Sequence, residues 1–293
     1  MKKLISLTLS LALALSLAAC GGEKTGPGAI DETANPAAEN VTGVEDGVLT
    51  VAMECAYAPY NWTQTDDSNG AVPIVNNPGA YAGGYDVTIA KKIADANGWE
   101  LEIMAIEWDG LSPALSAGTV DMVIAGQSMT SERMAEVDMA GPYFYASIVC
   151  VTKVDSPLSE AAGISQLTGT CTAQTGTVWY DTCLPQAVNA QLMPQAETAP
   201  AMIMAVESGT VDFICTDMPT AMAACATYPD LVILDFTGTG DDFDVSEEEI
   251  NIGLSVRKGN TTLLDAANAV LSTMAVEDFN DLMNQAIAVQ PEI

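Results

Sequence analysis

GYDVTIAKKIADANGWELEIMAIEWDGLSPALSAGTVDMVIAGQSMTSERMAEVDMAGPY, residues 84–143, is the stretch that decides the fold. Val87, Ile89, Ala90, Ile93 and Ala94 recur at helical spacing, and Gly98 stands where such a helix would stop. WELEIMAIE (99–107) alternates as a strand does, DGLSPALSAG (109–118) predicts a short helix, and VDMVIAG (120–126) predicts a buried strand. The stretch then supplies a polar loop, GQSMTSER (126–133), carrying Arg133, one of two arginines in the chain.

The same alternation extends outward. GVLTVAMECA (47–56) predicts a strand ending in a loop of the kind that meets ligands. Beyond Tyr143, strands are predicted at SIVCVTK (147–153), GTCTAQTG (169–176), VDFICTD (211–217), LVILDF (231–236) and NIGLSVRKG (251–259). Helices are predicted to start at TVWYDTCLPQ (177–186) and to cover TAMAACAT (220–227), and TTLLDAANAVLSTMAV (261–276) reads as one long terminal helix. Strands alternating with helices predict an α/β protein with parallel sheets. The two halves also echo each other: Ser116-Ala117-Gly118-Thr119-Val120-Asp121 matches Glu207-Ser208-Gly209-Thr210-Val211-Asp212, a helix ending at Gly and a strand opening at Val-Asp.

At the N-terminus, Lys2 and Lys3 precede the apolar run LISLTLSLALALSLAA and then Cys20. A basic start and a short apolar core describe an export signal, residues 1–19. Leu17-Ala18-Ala19-Cys20-Gly21 resembles a bacterial lipobox, which implies lipidation of Cys20 and anchoring to the outer face of the membrane, or a periplasmic location. Residues 20–46, rich in Gly, Pro, Ala, Glu and Thr without apolar periodicity, read as a flexible tether.

Composition removes several function classes. Nine Lys and Arg stand against 39 Asp and Glu, for a formal charge of −30. No basic face exists to neutralise phosphates, so nucleic acid is excluded as a partner. The chain has no His, which removes serine–histidine and cysteine–histidine catalysis and the commonest metal ligand. Besides Cys20 there are Cys55, Cys150, Cys171, Cys183, Cys215 and Cys225. Most read as small buried apolar side chains; a Cys171–Cys183 or Cys215–Cys225 pair stays open, and no CxxC spacing points to zinc. Neither a metal nor a cofactor is expected.

The 84–143 stretch and its GQSMTSER loop resemble the first lobe of the polar amino-acid-binding proteins that feed ATP-driven importers, the bacterial extracellular solute-binding protein family 3. The resemblance implies a two-lobed, type II periplasmic-binding-protein-like fold, each lobe a sheet flanked by helices. Lobe 1 would comprise 47–145 and 252–293, lobe 2 would comprise 150–247, and two strand-like crossings near 146–149 and 248–251 would form the hinge. It also implies a monomer that captures a free polar or basic L-amino acid and docks on a membrane permease of an ABC importer.

An amino acid presents a carboxylate and an ammonium close together. A guanidinium grips a carboxylate with two parallel hydrogen bonds, and by the resemblance Arg133 does so, with Gly126 and Ser128 offering backbone and hydroxyl groups. In the other lobe Gln174-Thr175-Gly176-Thr177-Val178 joins a strand to a helix. Gly176, Thr177 and Val178 would complete the carboxylate cradle with free N–H groups, and Thr177 also reads as an N-cap. Asp217 matches the aspartate that pairs with the ammonium, and also reads as a helix cap. Tyr57 and Trp108 match two aromatic walls that sandwich the ligand side chain. Glu54 lies where some basic-amino-acid binders place an acid, and Gln174 where some glutamine binders carry a cation. TQTDDSNGAVPIVNNPGA (63–80) is longer than the usual connection and reads as an extra loop. Two other classes stay open: an enzyme on the same fold, of dehydratase or lytic type, with Glu54 or Asp217 as its acid–base group, and a surface sensor or adhesin.

Overall fold

The repeated Gly-Thr-Val-Asp motif is the seed of the architecture. In both halves the Gly closes a helix with positive φ, 75° at Gly118 and 73° at Gly209, a conformation glycine adopts without a Cβ penalty. In both halves the Asp then ties a neighbouring strand. Asp121 N donates to Thr50 O at 2.9 Å and its Oδ2 accepts from Thr50 N at 2.9 Å. Asp212 N donates to Thr170 O at 2.9 Å and its Oδ2 accepts from Thr170 N at 2.6 Å. One short motif thus builds the same strand pairing twice.

A computed structural model describes residue 44 and residues 46–291. The expected signal segment 1–19 and Cys20 lie outside the described residues, as does the 20–46 tether apart from residues 44 and 46. In chain order the elements are β1 (Val48–Met53), β2 (Ala56–Tyr57), β3 (Asn61–Gln64), β4 (Val72–Pro73), β5 (Tyr81–Gly83), α1 (Tyr85–Asn97), β6 (Glu100–Ala105), α2 (Trp108–Ser116), β7 (Met122–Ser128), α3 (Ser131–Glu136), β8 (Asp138–Phe144) and β9 (Ile148–Lys153). Next come β10 (Gly169–Thr172), β11 (Ala190–Leu192), α4 (Ala199–Glu207), β12 (Phe213–Asp217), α5 (Met218–Thr227), β13 (Leu231–Leu234), α6 (Glu247–Ile250), β14 (Ile252–Val256), α7 (Thr261–Leu271) and α8 (Val276–Val289). No helix among the described residues is long and apolar enough to cross a membrane.

The strands form two five-stranded sheets in matching order, β6-β1-β7-β14-β8 and β11-β10-β12-β9-β13. Four strands of each run in one direction, and one, β14 in the first sheet and β9 in the second, runs antiparallel to both its neighbours. The expectation of parallel sheets is therefore corrected to mixed ones. The antiparallel member of each sheet arrives from the other: β9 follows β8 of the first sheet, and β14 follows β13 of the second. The chain thus passes between the sheets twice, and the molecule is two-lobed. β7, β12 and β14 are buried along their whole length, and each carries an apolar run that suits such burial.

Four local expectations are corrected. The 63–80 segment is structured rather than an open loop: β4 lies within it and joins a four-stranded sheet, β2-β3-β5-β4. Buried Ile74 bridges to Ile103 of β6, and Asn76 and Ala105 exchange two hydrogen bonds, anchoring the segment to the first sheet. The second crossing is not strand-like, because α6 occupies it; Ser246 Oγ caps this helix by accepting from Glu249 N at 3.2 Å, and three glutamates in its first turn complement the helix dipole. The terminal helix is two helices, broken after Leu271, with Asp278 Oδ2 accepting from Ala275 N at 2.8 Å to open α8. The strand at 47–56 ends at Met53, because Cys55 turns the chain with φ +55°.

Candidate functional site

The walls of the site come from the C-terminal ends of parallel strands in both sheets, where open α/β sheets place their ligands. From the first sheet, the end of β1 leads to Glu54 and Tyr57, and β7 ends in Gly126, Gln127 and Ser128. Trp108 opens α2 and Arg133 lies in α3. From the second sheet, β10 leads into Gln174, Thr177 and Trp179. Tyr57, Trp108, Gly126, Ser128, Arg133, Gln174, Thr177 and Trp179 line one cavity. Its volume is about 10 Å³, the scale of a single water molecule.

Arg133 is set by its own helix start. Thr130 caps α3, its Oγ1 accepting from Arg133 N at 3.2 Å. The side chain folds back so that Nη1 donates to Ser128 O, and the guanidinium lies 5.7 Å over the Trp108 ring, within cation–π range. Among the described residues it forms no ion pair. Burial holds its pKa below the ordinary arginine value, with the charges of Glu132 and Glu136 opposing that shift.

Gly126 must be glycine for two reasons. Its φ is +61°, and a Cβ there would stand 2.6 Å from Tyr57 Cε1. The close approach lets the Tyr57 ring lie against the strand end, stacked on Tyr60 with centroids 4.9 Å apart. Gly176, with φ +62°, brings the second sheet's turn towards Trp108: a Cβ there would lie 3.3 Å from Trp108 Nε1.

Glu54 is 9 % exposed. Burial is the main reason its carboxyl is pushed up to about 7, with the charges of Glu107, Asp86 and Asp109 acting in the same sense and neighbouring Gln174 opposing them. Gln174 is close enough to temper the charge, but its Nε2 and Glu54 Oε2 each lack a hydrogen-bond partner, as does Trp179 Nε1. Gln174 and Trp179 line the cavity, and Glu54 lies beside Gln174 without lining it; unpartnered buried polar atoms at such a place need an explanation.

Asp217 lies outside the cavity lining and is 0 % exposed. Its Oδ1 accepts from Thr220 N at 2.9 Å, capping α5. Its Oδ2 accepts from Tyr60 Oη at 2.9 Å and Tyr57 Oη at 3.3 Å, and Thr220 Oγ1 donates to Tyr57 Oη at 3.1 Å. Two tyrosines of the first sheet's loop therefore hold the aspartate of the second. Val178 is buried away from the cavity. The cap expected of Thr177 is absent: its Oγ1 donates to Gln174 O at 2.7 Å instead of accepting an N–H. After Val178 the chain makes a single wide turn, Trp179–Cys183, and one 3₁₀ turn, Leu184–Gln186, rather than a regular helix.

Sequence reasoning missed Tyr60, Trp179 and Thr220. Tyr60 carried a signal, standing three residues after Tyr57 in CAYAPY, but its hydroxyl acts only through a contact made across the fold. The six described cysteines are unpaired, so neither open pairing forms; five are buried and Cys225 is half-buried. No group of three or more acidic, Cys or His side chains among the described residues is arranged to hold a metal ion.

The chain is 28 % identical over 277 residues to the probable histidine-binding protein of Neisseria gonorrhoeae, covering 92 % of this chain and 90 % of that one. The structure of the arginine-bound form of truncated ArgBP from T. maritima superposes with a TM-score of 0.60 at 28 % identity, covering 78 % of this chain and 97 % of that one. An amino acid ABC transporter substrate-binding protein from Streptococcus pneumoniae, solved with L-arginine, shares the fold with a TM-score of 0.73 at 22 % identity, covering 87 % of this chain and 99 % of that one. Residues 49–286 match the model of the bacterial extracellular solute-binding proteins, family 3, and the chain belongs to that family.

Proposed function

We propose that this protein captures a free basic L-amino acid between its lobes and delivers it to the permease of an ABC importer. One observation carries the reading: an arginine without an ion pair, Arg133, lines the cavity, and an acid with an unpartnered oxygen, Glu54, stands beside Gln174 of the opposite wall. The ligand carboxylate pairs with Arg133, supported by Ser128 and by Gly176 and Thr177 of the opposite turn. The cationic side chain runs between Tyr57 and Trp108 towards Glu54, and Gln174 and Trp179 accompany it. The α-ammonium is met by Asp217 after the tyrosine hydroxyls give way. The histidine- and arginine-binding names of the relatives support this ligand class.

A cavity of about 10 Å³ admits an amino acid only when its walls part. Opening is a rotation of lobe 1 (47–145 and 252–293) against lobe 2 (150–247) about segments 146–149 and 248–251. The ligand favours closure because it bonds both walls. Lipidated Cys20 and the tether 20–46 hold the monomeric protein at the outer face of the membrane.

The test is calorimetry of the protein, refolded to strip carried-over ligand, against L-arginine, L-lysine, L-histidine, L-glutamine and L-leucine. Tight binding confined to the cationic members is the expected result; preference for leucine would sink the assignment of Glu54. A second reading, an acid–base enzyme, draws on the Glu54 carboxyl near 7. It would require the bound compound to be released altered, whereas the binding reading has it recovered unchanged.

A further inference from the structure

Two bends with positive φ stand at the site end of the first lobe, Cys55, φ +55°, and Gly126, φ +61°. Their strands, β1 and β7, carry Glu54 and Ser128 to the site. Each bend has its N–H bound to a side chain. Cys55 N donates to Asn61 Oδ1 at 2.7 Å, and Gly126 N donates to Tyr143 Oη at 3.1 Å. Both side chains end on the same buried carboxyl. Asn61 Nδ2 donates to Asp86 Oδ2 at 2.8 Å, and Tyr143 Oη donates to Asp86 Oδ1 at 2.7 Å. The backbone of Asp86 adds a third tie, its N donating to Tyr60 O at 2.8 Å.

We infer that Asp86 is a positioning residue for ligand capture: through Asn61 and Tyr143 it fixes the two bends that set Glu54 beside Gln174 and the Gly126–Ser128 segment in the cavity wall. Asp86 is 0 % exposed and does not line the cavity, so it acts only through its neighbours. An acid in the first turn of a helix ordinarily serves the helix dipole. Here both carboxyl oxygens are turned to side chains outside α1, and Tyr143 is itself clamped by the stacked ring of Tyr85, 5.7 Å away, whose hydroxyl donates to Tyr143 O. Polar chains of this kind specify one arrangement only while every member keeps its partner. The inference rests on the proposed ligand class for its affinity consequence, but not for its effect on the two bends.

The substitution Asp86→Asn puts an amide donor where a second acceptor stood: turned to Asn61 it meets another donor, and turned to Tyr143 it can only donate to the hydroxyl oxygen, which leaves the hydroxyl proton without its acceptor and crowds the oxygen that Gly126 N uses. The double substitution with Asn61→Asp restores every donor–acceptor pair. The experiment measures L-arginine affinity together with hydrogen exchange at the Cys55, Gly126 and Ile124 amides. For Asp86→Asn the expected result is binding weakened about tenfold or more and exchange at Cys55 or Gly126 accelerated to a similar degree, with Ile124 in the middle of β7 unmoved. The double variant should recover both. If Asp86→Asn does not fold, Tyr143→Phe breaks the Gly126 arm alone, and Gly126 should exchange faster. Unchanged exchange at both bends in a folded Asp86→Asn protein, or at Gly126 in Tyr143→Phe, overturns the inference. Failure of the wild type to bind L-arginine would count against the proposed ligand class, while the exchange data still decide the role of Asp86.

Discussion

Tyr60 Oη donates to Asp217 Oδ2 at 2.9 Å, joining the loop after β2 to the end of β12 across the gap between the sheets. Burial raises the Asp217 pKa, and the tyrosine and threonine hydrogen bonds oppose that rise. The protein thereby satisfies, with its own hydroxyls, the carboxylate proposed to take the ligand's ammonium. In the proposed binding mode the ligand's ammonium exchanges with these hydroxyl bonds instead of meeting a bare charge.

Tyr60→Phe removes that bond without changing the ring packing. A hydrogen bond to a buried carboxylate contributes about 2 kcal/mol, so the ligand-free protein should melt roughly 4–8 °C lower. With saturating L-arginine the deficit should shrink, because the ammonium replaces the hydroxyl. Scanning calorimetry with and without ligand measures both, and an equal deficit in the two states would show that Asp217 does not meet the ligand.

Arg133→Ala should weaken binding about 100-fold or more, since a ligand carboxylate in the buried cleft would lose its charge partner. Arg133→Lys should recover only part of this, because an ammonium cannot reproduce the paired grip or the stack on Trp108. Isothermal titration decides; unchanged affinity in the alanine variant would remove Arg133 from the site.

Glu54 makes capture depend on pH. Its carboxyl lies near 7 in the ligand-free fold, so it is mostly neutral at pH 5 and mostly charged at pH 8. Affinity for a cationic side chain should rise by up to about 100-fold over that interval, and Glu54→Gln should bind weakly and lose most of the slope. The linkage to stability has the opposite sign. A carboxyl whose folded pKa is raised binds more protons folded than unfolded between about pH 4.5 and 7, so stability falls as pH rises through that window. Repulsion across the acidic surface acts in the same direction, so the measurement is the difference in Tm–pH slope between wild type and Glu54→Gln. Parallel slopes would mean that Glu54 titrates normally.

The cysteines give a chemical check. Under native conditions a thiol reagent should modify Cys225 first, and Cys55, Cys150, Cys171, Cys183 and Cys215 only on unfolding, because those five are buried. Burial also pushes the thiols of Cys55 and Cys171 up to about 12, far from the reactive thiolate. Rapid native modification of the buried five would contradict the packing of both sheets.

Helical spacing in 84–97 and the two Gly-Thr-Val-Asp motifs made the α/β order and the internal repeat legible, because side-chain burial and glycine conformation are local properties. The crossing helix at 247–250 and the break at 272–275 were not, since both hang on single caps, Ser246 and Asp278. Strand direction also escaped, because β9 and β14 are reversed by where the chain crosses and not by their composition.

For the site, the amino acid order alone determined which residue types were present: one arginine in a polar loop, aromatic residues after β1 and at the start of α2, an acid at Glu54, and no histidine anywhere. Tertiary structure decided which of them share a cavity. It brought Arg133 over Trp108, set Glu54 beside Gln174, and placed Asp217 behind Tyr57 and Tyr60. The physical reason is distance along the chain. Tyr60 and Asp217 are 157 residues apart, and no local preference specifies such a contact; only the packing of two sheets against a shared gap brings them together.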